Sequence, residues 1–184
     1  DDGATAAPDG NDGWYTSPVT NGFAVTDNLS GIVGQTNPYT FAKSSGATEE
    51  GPAVTITSGT ITDAAGNIAE AISSTSFKID LTNPTNVSFA GEIDAGGSYS
   101  FGAVPSPPTC TATDAVSGLA GCVVSGYSRA IGTHTLTATA TDNAGRTATA
   151  TLTYSIADTT APTITATLDP AAPDGDNGWY RSDV

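Results

Sequence analysis

Oxygen-bearing side chains cluster in two short loops of this sequence, and their types and spacing suit the ligation of a hard cation. Asp9, Asn11 and Asp12 surround Gly10, and Asp174, Asp176 and Asn177 repeat the arrangement around Gly175. Alternating Asp and Asn beside glycine is a way for carboxylate and amide oxygens to converge on calcium. The glutamate that would close a twelve-residue calcium loop is missing, so a hydrogen-bonded turn is the competing reading. Asp80 and Asp158 form a further candidate pair for a bridging calcium.

The other reactive side chains are few. Cys110 and Cys122 are the only cysteines. They lie in neither a CxxC pair nor a histidine cluster, so a disulfide is expected, and with it an oxidising compartment. No Lys or His adjoins either thiol in sequence, which argues against a redox role. His134 is the only histidine. Neither a catalytic triad nor a His-rich zinc site can be assembled around it, and no enzyme activity is expected. Trp14-Tyr15 and Trp179-Tyr180 would stack on sugar rings if exposed, but packing into a core is the expected role. Asn28 and Asn86 open N-x-S sequons and are candidate glycosylation acceptors, and the threonine rows are candidates for O-linked sugars. Lys43 and Lys78, the only lysines, are the available donors for a Lys-Asn isopeptide bond.

Composition limits what these residues can serve. Nineteen acidic side chains against five basic ones give a formal net charge of −14. Nucleic acid and anionic membrane surfaces are poor partners for such a chain. No apolar run approaches the roughly 20 residues of a membrane span, so no membrane insertion is expected in this segment. Helix formers are scarce while Thr, Ser and Gly abound, which favours strands.

The elements that position these residues recur. The twelve residues 8–19 (PDGNDGWYTSPV) return at 173–184 (PDGDNGWYRSDV), 165 residues later, with eight of twelve positions identical. A chain that restarts its own opening reads as a cut through a longer periodic array. Two Pro-containing joints, DLTNPT at 80–85 and DTTAPT at 158–163, stand 78 residues apart. Each interval carries the same two turns: TDNLSG at 26–31 matches TDAVSG at 113–118, and TDAAGN at 62–67 matches TDNAGR at 141–146. Around the last of these, His134, Leu136, Ala138 and Ala140, then Ala148, Ala150, Leu152, Tyr154 and Ile156, alternate with threonine or serine. This period of two predicts strands with one buried face. Phe23 and Val25, Val54 and Ile56, and Phe77, Ile79 and Leu81 show the pattern in the first interval. The segment 35–51 is irregular, and no strand is assigned there.

Short strands punctuated by Gly, Pro and Asp turns predict an all-β sandwich. The run FKIDLTNPT, the paired turns and the stretch from Cys110 through TYSI resemble bacterial Ig-like repeat domains of large secreted and cell-surface proteins. That resemblance implies two tandem Ig-like β-sandwich domains, 1–82 and 83–160, plus the opening strand of a further repeat at 161–184. It also implies a Cys110–Cys122 bond across a hairpin. The expected function is a structural extracellular protein of a prokaryotic surface: a stalk, adhesin arm or filament subunit. Its partners would be further copies joined head to tail through 163–184, with glycans or a host or cell surface as candidate ligands. The alternative is an accessory glycan-binding or spacer region of a secreted polysaccharide-degrading enzyme. The first domain is expected to lack much of its opening strand, which a neighbouring copy would supply.

Overall fold

The computed structural model describes residues 7–167, 171–181 and 183, so the expected lack of an opening strand in the first domain, which falls on residues 1–6, lies outside the described residues. Among the described residues thirteen strands follow in order: β1 (Trp14–Tyr15), β2 (Thr20–Val25), β3 (Tyr39–Ser44), β4 (Gly51–Val54), β5 (Ile61–Thr62), β6 (Ile68–Ala69), β7 (Phe77–Ile79), β8 (Thr85–Ala90), β9 (Gly97–Ser100), β10 (Thr109–Thr113), β11 (Leu119–Ser125), β12 (Gly132–Asp142) and β13 (Thr147–Ala157). Among the described residues the only helical turns are 3-10 turns at Asn11–Gly13 and Asp176–Gly178. The chain is all-β.

In the C-terminal half the sequence pattern translates directly into structure. Strands β12 and β13 pair without a break from Gly132↔Ile156 to Thr141↔Thr147. Leu136, Ala138 and Ala140 are fully buried on one face of β12, while Thr147, Thr149, Thr151 and Thr153 of β13 face water. Gly145, at φ 91°, closes the connecting turn in a conformation that a side chain would strain. This hairpin is the middle of a four-stranded sheet ordered β11-β12-β13-β9, with β9 parallel to β13. A separate pair, β8 and β10, lies across the core. Ile93, Leu136, Tyr154 and Ile156 form its buried centre, and Phe89 of β8 packs against them, so the two sheets face each other like the layers of a sandwich.

The disulfide sits differently from the expected hairpin bridge. Cys110 and Cys122 are bonded, with Cα atoms 5.7 Å apart, but Cys110 lies on β10, which pairs with β8, and Cys122 on β11, which pairs with β12. The bond therefore staples one sheet to the other. The cause is the intervening turn: Asp114 Oδ1 accepts the backbone N–H groups of Val116, Ser117 and Gly118, bending the chain from one sheet into the next.

The N-terminal half has its own core of Val19, Phe23, Ile56 and Ile79. Sheets β1-β7-β4 and β2-β3 pack around it, and β5-β6 forms a further small sheet. Strand β3 falls within the irregular segment 35–51. It pairs along the whole of β2, and Phe41 stacks on Phe23 with ring centroids 5.3 Å apart. An aromatic cross-strand pair supplies the stabilisation that the Pro- and Ser-rich flanks conceal in sequence.

Candidate metal centre at the joint between the two halves

The two halves meet through specific contacts. Asn11 N–H donates to Ala144 O at 2.9 Å, which docks the PDGNDGWY turn onto the TDNAGR turn. Arg146 donates from Nη1 to Thr16 O at 3.0 Å and from Nε to Asn83 Oδ1 at 2.9 Å. The fit is close: a Cβ on Gly10 would stand 2.5 Å from Ala144 O, and one on Gly145 would stand 2.8 Å from Asn11 Nδ2. Pro84 is buried in the short connection.

Three aspartates converge at this joint. Asp80 follows β7, Asp114 opens the turn after β10, and Asp142 ends β12. One carboxylate oxygen of each lies within 4.8 Å of those of the other two. Each also uses its Oδ1 to hold its own segment: Asp80 accepts from Thr82 N at 3.0 Å, Asp114 from Gly118 N at 2.8 Å and Asp142 from Arg146 N at 2.9 Å. The second oxygens of Asp80 and Asp142 are buried and have no hydrogen-bond partner. The residues themselves are 0 % and 1 % exposed.

Such an arrangement is electrostatically unfavourable by itself. A buried, unpaired carboxylate costs several kcal/mol even after relaxation. Burial pushes the Asp142 carboxyl above the ordinary carboxylate range, and the neighbouring charges of Asp80 and Asp114 add to the shift. Among the described residues no Lys, Arg or His forms an ion pair with the cluster. Among the described residues the one ion pair joins Arg181 to Asp176, and both members are exposed.

In the acidic loops singled out from sequence the residues make turn and joint contacts. Asp9 holds a turn, with Oδ1 accepting from Thr16 N at 2.6 Å and Oδ2 from the Ser17 hydroxyl at 2.9 Å. Asn11 serves the joint through its backbone, and Asp12 takes a positive φ of 51° while its carbonyl accepts from Lys78 Nζ. In the second loop Asp174 Oδ1 accepts from Arg181 N at 2.6 Å, and Asp176 is the partner of Arg181. Asp80 does reach a cluster of ligand atoms, in company with Asp114 and Asp142. Asp158 is exposed beyond the far end of β13, where it holds Thr160 N at 2.9 Å. Asp114 and Asp142 were legible only as turn openers, each preceded by Thr. The recurrence of that Thr-Asp pair at both turns was the available signal. Asn28 and Asn86 are exposed, and Lys43 Nζ donates to Thr57 O at 3.1 Å.

The aromatic pairs part company. Trp14 is 6 % exposed with Lys78 Nζ 5.3 Å from its ring centroid, whereas Trp179 is 74 % exposed. No family model, no curated protein and no solved structure matches this chain.

Proposed function

We propose that this chain is part of an extracellular, non-catalytic structural array: Ig-like domains 1–82 and 83–160 in tandem, with 161–184 opening a further repeat. The array would serve as a stalk, adhesin arm or surface filament. The observation that carries the reading is the contrast between the two copies of one turn. Gly10 N donates to Trp14 O and Gly175 N to Trp179 O, and the central residues match, Asp12 at φ 51°, ψ 28° and Asn177 at φ 54°, ψ 30°. The first copy buries its tryptophan and docks on the following half; the second forms the same turn with its tryptophan in water. A formed element with an uncovered apolar face calls for the domain that its counterpart has.

Two further features support the array. In the C-terminal half β8 flanks β10, but in the N-terminal half β2, which leads into a Thr-Asp turn as β10 does, is paired among the described residues only with β3. Among the described residues no strand pairs with its other edge, which would take a strand such as 163–167 of a neighbouring copy. Head-to-tail addition of this kind does not close on itself and builds a filament. The burial of Trp14 removes one of the two aromatic pairs that a glycan platform would use, which favours the stalk over the sugar-binding alternative. The test is antibody labelling of intact cells combined with sedimentation of the purified chain. Surface labelling and concentration-dependent linear oligomers are expected. Exclusively internal labelling, or a monomer at every concentration together with hydrolysis of a polysaccharide, would overturn the reading.

A further inference from the structure

The geometry points to one bound calcium ion held by Asp80, Asp114 and Asp142, locking the joint between the two halves of this chain. Three observations converge on it. First, the donor set is all oxygen and all carboxylate, the chemistry that hard divalent cations take. Second, ligand oxygens around calcium sit about 2.3 to 2.6 Å from the ion, so those on opposite sides are about 5 Å apart. The three oxygens lie within 4.8 Å of one another, inside that limit. Third, Asp80 Oδ2 and Asp142 Oδ2 are buried without a hydrogen-bond donor. A cation supplies what these atoms lack. Arg146, the basic residue of the adjoining turn, is committed to Asn83 and Thr16 instead.

The three ligands come from both sides of the joint. Asp80 ends the N-terminal half, and Asp114 and Asp142 open two turns of the C-terminal half. The Oδ1 hydrogen bonds that hold each carboxylate to its own turn leave the second oxygen of Asp80 and of Asp142 without a donor, so an ion held by the cluster ties the halves together. Without it three negative charges meet at the joint, and the halves are driven apart.

The same three positions recur in sequence at Asp27, Asp63 and Asp158. Asp27 and Asp63, the counterparts of Asp114 and Asp142, line a cleft of about 440 Å³ with Val25, Ile32 and Ile68. Asp158, the counterpart of Asp80, holds Thr160 N as Asp80 holds Thr82 N. In the cleft the oxygens are already engaged: Asp27 accepts from Leu29 N and the Ser30 hydroxyl, and Asp63 from Asn67 N and Nδ2, so among the described residues the buried, unpartnered carboxylate oxygens stand at the joint.

Isothermal titration of the chelator-treated 184-residue chain with calcium chloride tests the site. One ion per chain is expected, with a rise in thermal midpoint on calcium addition that excess chelator reverses. Asp80→Asn and Asp142→Asn should each weaken binding at least tenfold. In chelator both should melt no lower than the wild-type chain, because each removes a repelling charge while keeping the side-chain shape. Asp27→Asn should bind one ion as before. Magnesium should bind at least tenfold more weakly than calcium. Absence of calcium binding up to millimolar concentration, or binding unchanged in Asp80→Asn and Asp142→Asn, overturns the proposal.

Discussion

Asp9 shows how much of an acidic loop is turn chemistry. The Thr16 N–H is the main influence holding its carboxyl below the ordinary range, and the Ser17 hydroxyl assists. A carboxylate whose pKa is lower in the folded than in the unfolded chain stabilises the fold above its unfolded value of about 3.9, and the contribution fades as pH falls through the lower folded value. Because Asp9 is exposed, water screens the effect to less than about 1 kcal/mol. Asp9→Asn should therefore melt slightly below wild type at pH 7 and converge with it below about pH 3. Melting curves that stay parallel across that range would show that the charge contributes nothing. The turn itself was legible from the Asp, Gly and Asn spacing, since such hydrogen bonds connect near neighbours. The Asp80, Asp114 and Asp142 cluster was not, since its members are 34 and 28 residues apart in sequence and only the docking of two turns brings them together.

Among the elements, the β12–β13 hairpin was the most legible, because strict alternation and the Asp-Asn-Ala-Gly turn specify both the register and the reversal. Strand β3 was illegible because its stability comes from Phe41 meeting Phe23 across the sheet, a contact with no local signature. The disulfide was legible as a pair and illegible as a location. Its place depends on the turn at 114–118 sending the chain into the second sheet, so it fastens two layers and not two neighbouring strands. Closing a loop of twelve residues' separation is worth about 3 kcal/mol in the chain-entropy treatment. Replacing both cysteines by serine should lower the stability of the C-terminal half by roughly that amount, measured by urea unfolding followed through tyrosine fluorescence. A loss well under about 1 kcal/mol would mean that the two sheets are held by Leu136, Tyr154 and Ile156 alone.

Across the whole molecule, the two tryptophans report on the periodic plan. Trp14 is buried and Trp179 exposed although their turns share sequence and backbone conformation. Trp14→Ala should cost about 3 to 5 kcal/mol, as for a large buried side chain. Trp179→Ala in the isolated chain should change stability by less than about 0.5 kcal/mol. In an assembled array the second substitution should instead impair end-to-end association, seen as a loss of oligomers in sedimentation. Equal costs for the two substitutions in the monomer would show that the tail finds a partner within its own chain, contrary to the array.

What the sequence determined by itself was everything with a short range in the chain: strand periodicity, turn conformation, the recurrence of the same turns, the pairing of the only two cysteines. These depend on side-chain alternation and on hydrogen bonds spanning a few residues, so a turn such as 173–180 forms even with its tryptophan in water. The tertiary structure alone decided which copy of a repeated motif is buried, which sheets the disulfide joins and which of nineteen acidic residues meet. Those outcomes depend on how one half docks against the other. Burial then turns ordinary turn-capping aspartates into a carboxylate cluster, with an oxygen of Asp80 and of Asp142 that no hydrogen-bond donor reaches.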